Sequence, residues 1–100
     1  MIYFEWDDNK NIINIQKHGI SFAEAVSAFN DENSLQKDDP DHSDEEERFI
    51  HMGLSSKGRV LVIVFCYRDD EDHIRIISAR NANKEEQITY FTWGFYERQL

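Results

Sequence analysis

One hundred residues, 40% of them hydrophobic and 13% aromatic, are enough for one small core and too few for two domains. A single cysteine excludes an internal disulfide, and no apolar run approaches the ~20 residues that a membrane span requires. The net charge of −9 argues against nucleic-acid contact over the whole surface. That charge is concentrated, however. Residues 31–47 carry a net −8 and Asp69–Asp72 a further −4, which leaves +3 on the rest of the chain. The first residues, MIYFEWDDNK, lack the basic-then-apolar build of a secretory signal, so a reducing cytoplasm is the expected setting.

In chain order, IYFEW (2–6) alternates apolar and polar residues and predicts a strand. DDNKNIINIQKHG predicts a helix capped by Asp7 or Asp8, with Ile12 and Ile15 on its apolar face and Gly19 as its stop. SFAE at 21–24 is a capping box in which Ser21 takes an early N–H and Glu24 reaches back. Phe22, Ala25, Val26 and Phe29 then follow helical spacing and predict a buried stripe. NSLQKDD predicts a weak edge strand. RFIHMGLS and RVLVIVFCYR predict a hairpin turning at Gly58, and the second arm is apolar enough to be central, with Cys66 a buried small hydrophobe within it. RDDED reads as a turn and HIRIISAR as a strand. In the last segment Asn83 and Glu86 form a second capping box, and Ile88, Phe91 and Phe95 are expected on an apolar helix face. The expected fold class is α+β: an antiparallel meander with two N-terminal helices and one C-terminal helix.

His18, His42, His51 and His73 stand at no metal-ligand spacing, and no cofactor motif or nucleophile elbow occurs, so neither metal nor cofactor is expected. The residues that suggest chemistry are cationic. Arg75 alternates with Ile74 and Ile76, Arg80 ends the same strand, and Glu46 and Arg48 are spaced to form an ordered pair. Guanidinium forks held by carboxylates suit phosphate oxygens. Each arginine taken alone is more often a solvated strand residue, so their convergence is what matters. Lys17 and His18 close the first helix, where cations are favoured by the exposed carbonyls; capping and function are about equally good readings. The aromatics Tyr90, Phe91, Trp93, Phe95 and Tyr96 fit core and partner contact better than base stacking.

FEWD at 4–7, KHGISFAEA at 17–25, DHSDEEERF at 41–49, GLSSKGRVL at 53–61 and RIISAR at 75–80, in that order, resemble the BrnT toxins over about residues 3–90. The resemblance implies a RelE-like microbial ribonuclease fold and RNA cleavage that arrests translation. It also implies neutralisation by a BrnA antitoxin in a heterotetramer that binds operator DNA only through the antitoxin. The ending TWGFYERQL departs from the more basic, polar helix usual in that family.

Metal-free RNA cleavage needs a base for the 2′-hydroxyl, an acid for the leaving oxygen and cations for the phosphorane-like transition state. On this reading Arg48, Arg75 and Arg80 bind phosphate with help from Lys17. Glu46 orients Arg48 or acts as base, His18 carries the proton, and His42 is the reserve. The competing expectation is a degenerate, non-enzymatic toxin that serves only as an antitoxin partner or co-repressor.

Overall fold

The computed structural model describes residues 1–39 and 47–99, with side chains through Trp93 in the last helix. The elements run β1 (Tyr3–Glu5), α1 (Asp8–His18), α2 (Phe22–Ser27), a 3₁₀ turn (Ala28–Asn30), β2 (Leu35–Asp38), β3 (Arg48–Leu54), β4 (Val60–Tyr67), β5 (His73–Asn81) and α3 (Lys84–Gln99). The five strands form one sheet in the order β1-β5-β4-β3-β2.

Strands β2 to β5 make the expected antiparallel meander, with β4 in the centre and β2 at an edge. The sheet as a whole is nevertheless mixed, which corrects the all-antiparallel expectation: β1 pairs with β5 in parallel. Short turns force antiparallel neighbours only among strands they connect. β1 is separated from β5 by both N-terminal helices and three strands, so its direction is free.

One face of the sheet, built on Leu61, Ile63, Phe65, Ile74, Ile76 and Ala79, packs against Ile20, Phe22, Ala25 and Ala28. The predicted stripe of α2 is therefore the core, with Val26 and Phe29 packed partly buried beside it. The other face is covered more thinly, by Tyr90 of α3 and Ala82 over Val60 and Val62, flanked by Ile50 and Met52.

Local signals explain the helix ends. Asp7 accepts from Lys10 N at 3.0 Å, and Ser21 Oγ from Glu24 N at 3.0 Å. Gly19 takes φ 71°, a left-handed conformation that glycine adopts without strain, and closes α1 onto Ile15 O. Gly58 does the same work in the hairpin, at φ 78°.

Three expectations are overturned. Ile12 and Ile15 are exposed, and the buried residue of α1 is Asn14. Its amide donates to Ile20 O at 2.8 Å and Ala79 O at 2.7 Å and accepts from Ala79 N at 3.1 Å. The helix thus docks through backbone recognition along the outer edge of β5, beyond the point where β1 stops. Glu24 does not reach back to its cap, because Arg59 and the Ser55 hydroxyl capture its carboxylate. In α3, Ile88 and Phe91 are exposed while Tyr90 is buried, and the Phe95 side chain lies outside the described residues. Glu86, clamped by Asn83 and Arg80, sets the rotation of that helix, and Tyr90 stands one turn further on the sheet-facing side.

Candidate functional site

Arg75 and Arg80 are five residues apart, so an unbroken strand would send them to opposite faces. A bulge in β5 prevents this. Val64 pairs with Ser78 and Phe65 with Ile76, leaving Ile77 as the extra residue. Arg75 then lies opposite Cys66 and Arg80 opposite Val62, both on the face away from α1 and α2. Arg48 also lies opposite Cys66, from the other side. Cross-strand partners share a face, so Arg48, Cys66, Arg75 and, through β1, Glu5 form one row across four strands. Arg80 stands further along the same face.

The three arginines differ in what holds them. Arg80 is committed: its Nη1 and Nη2 donate to Glu86 Oε1 and Oε2 at 2.7 and 2.8 Å. This bidentate contact raises the Arg80 pKa and lowers that of Glu86. Arg75 is looser, with Nη1 3.6 Å from Glu5 Oε2. Arg48 is half-buried at the start of β3. Beside this face, α3 and strands β2–β4 form a groove of about 320 Å³ lined by Lys37, Ile50, Met52, Val62 and Glu86 among others.

Lys17 and His18 occupy the last turn of α1, as expected of cations there, with His18 half-buried. Their corner belongs to the helical layer on the other face, since Ile20 right after it is fully buried in that core. The guanidinium that touches the corner is Arg59, whose Nη2 donates to Gly19 O at 3.4 Å. The structure therefore gathers Arg48, Arg75 and Arg80 on one sheet face and builds Lys17 and His18 into the opposite layer. His42 and Glu46 lie outside the described residues.

Sequence reasoning missed the surroundings of Glu5. Its Oε1 is 3.6 Å from His73 Nε2 and 3.7 Å from Arg68 Nε, while Oε2 faces Arg75. The alternation of IYFEW puts Tyr3 and Glu5 on one side, but nothing local reveals that β1 lies in register with residues 73–75.

Two buried titratable sites are structural. His51 Nε2 donates to Ala28 O at 2.9 Å, Nδ1 accepts from Gln36 Nε2 at 2.9 Å, and the ring stacks on Phe29. Burial pushes its pKa down, against the opposing pull of the Ala28 carbonyl, so the ring is held neutral. Glu24 is held below the usual carboxylate range by its hydrogen bonds from Arg59, which outweigh the effect of burial. Among the described residues no group of three His, Cys, Asp or Glu side chains is placed to hold a metal ion, and no helix is long and apolar enough to cross a membrane.

Residues 6–86 match the family described as "Ribonuclease toxin, BrnT, of type II toxin-antitoxin system". No curated protein matches the sequence. Among solved structures, the fold is similar to that of the Brucella abortus ribonuclease toxin BrnT, with a TM-score of 0.60 at 23% identity, over 84% of this chain and 100% of that one. The mixed sheet and its helical layer are thus those of a known toxin fold, and the chain belongs to the BrnT family of type II toxin–antitoxin ribonuclease toxins.

Proposed function

We propose that this chain is a metal-independent endoribonuclease with a RelE-like mode of action, cutting RNA so that translation stops. A BrnA-type antitoxin holds it inactive in a heterotetramer, and operator DNA is reached through the antitoxin. The observation that carries this reading is the row of Arg48 and Arg75 across the thinly covered sheet face, with Arg80 beyond it. RNA supplies its own nucleophile in the 2′-hydroxyl, so the protein needs cations and proton carriers and no activated serine or cysteine. Arg48 and Arg75 grip the scissile phosphate, and Arg80 steadies the helix at its margin through Glu86.

Induction of the chain alone in bacteria tests the proposal. Growth arrest and loss of intact RNA are expected, and the purified protein should cut RNA equally well in excess chelator. Arg75→Ala and Arg48→Ala should each lower the cleavage rate by about 10²-fold, the scale of losing one charge-stabilising group, with the circular dichroism spectrum unchanged. Full toxicity in both variants would remove the row from the reaction.

A second reading, an inactive toxin that survives as a protein-binding module, draws on Ile88, Phe91 and Trp93. All three are more than half exposed along α3. The same induction separates the two, because a binding module alone leaves growth and RNA intact.

A further inference from the structure

Cleavage also needs proton carriers, and on the arginine face the described residues offer one imidazole beside one carboxylate. His73 and Glu5 sit on adjacent parallel strands, with His73 Nε2 3.6 Å from Glu5 Oε1. Arg68 and Arg75 approach the same carboxylate at 3.7 and 3.6 Å. These separations exceed the 2.7–3.2 Å of a formed hydrogen bond, in contrast to the Arg80–Glu86 pair at 2.7 Å. Two guanidinium groups and one imidazole thus share one carboxylate loosely, with donors left for a second anion. All four side chains are 30–45% exposed, so a phosphate can reach them. The Tyr3 ring stands 6.0 Å from the imidazole, tilted 45° to it. The preceding turn carries Asp69, Asp70, Glu71 and Asp72, and its backbone ties His73 N to Asp70 O at 3.2 Å.

We propose that Glu5 and His73 are the base and acid of RNA cleavage in this chain, an assignment that rests on the ribonuclease reading above. Glu5 takes the 2′-hydroxyl proton as the 2′-oxygen bonds to phosphorus. The bond from phosphorus to the 5′-oxygen breaks, and the 5′-oxygen leaves with the proton of the His73 imidazolium. The products are a 2′,3′-cyclic phosphate and a 5′-hydroxyl, and solvent exchange returns the proton from Glu5 to His73. Arg75 and Arg68 offset the charge on the non-bridging oxygens.

The experiment uses a synthetic RNA 20-mer and the full chain, wild type, His73→Gln and Glu5→Gln, each checked for folding by circular dichroism. Wild type should leave 2′,3′-cyclic phosphate ends and give a bell-shaped pH–rate profile. His73→Gln should lower kcat by about 10²-fold or more with KM little changed and abolish the alkaline limb; Glu5→Gln should abolish the acidic limb. A matching RNA with sulfur in place of the 5′-bridging oxygen, whose leaving group needs no proton, should restore most of the His73→Gln rate. A His73→Gln protein that cuts normally, or is not restored by the sulfur substrate, overturns the proton-transfer assignment while leaving the ribonuclease reading in place. A wild-type protein that cuts no RNA overturns both.

Discussion

Gly53 tolerates no side chain. A Cβ there would lie 2.6 Å from the Ala28 carbonyl oxygen and 3.0 Å from His51 Nε2, two atoms already bonded to each other at 2.9 Å. Gly53→Ala should therefore push β3 away from the 3₁₀ turn and weaken the His51 bond, lowering unfolding stability by about 2–3 kcal/mol in urea titration. Gly19 and Gly58 were legible in the sequence because their role is local: Gly19 ends α1 and Gly58 turns the hairpin, each at a positive φ. The demand on Gly53 comes from a residue 25 positions earlier in the chain, and its surroundings in RFIHMGLS look like those of any strand glycine. His51 is similar. Sequence alone makes it one of four histidines, whereas burial and two hydrogen bonds make it part of the core.

Among the elements, β5 and α3 decide what the arginine face presents. The extra residue at Ile77 puts Arg75 and Arg80 on the same face, and no residue type near IRIISAR announces a bulge. Period-two reading sees the strand and misses which way its second half faces. For α3 the legible part was the start. The reciprocal bonds between Asn83 and Glu86, both 2.8 Å, match the capping box. The buried face was illegible, because Tyr90 wins its place through Asp31 in a distant turn rather than through apolar spacing. Burial alone would raise the Asp31 pKa, but bonds from Tyr90, Leu54 N and Asn33 N hold it lower. Arg80→Ala removes a partly exposed pair, so it should cost only about 0.5–1 kcal/mol overall. The loss should be local: amide exchange in residues 84–93 should speed up several-fold, with protection in β3 and β4 unchanged.

At the scale of the molecule, acid acts in two stages. The His51 pKa lies below the usual 6.5 in the folded chain, so the unfolded chain binds this proton first and stability falls as pH drops below about 6.5. Glu24 and Glu86 are held below 4.5 and Asp31 below 3.8. What they contribute is complete above those values and is lost as pH falls through their folded pKa. Melting temperature should be level from about pH 6.5 to about pH 9, decline gently from about pH 6.5 towards about pH 4.5, then fall steeply; His51→Gln should erase the gentle decline. The α+β class, the β4 centre and the α2 stripe could all be read from the chain, since hydrophobic period and turn chemistry specify them. The parallel seat of β1 could not, because pairing across 70 residues leaves no local trace.

That seat is short, three residues against the nine of β5, and it would leave most of an outer strand bare. A bare strand is a template on which another polypeptide can add itself. One amide, on Asn14, occupies both backbone groups of Ala79 and so stands in for the missing strand. The helix that looks wrongly turned, with its isoleucines in water, is thereby the guard that keeps this flank of the sheet from recruiting its neighbours.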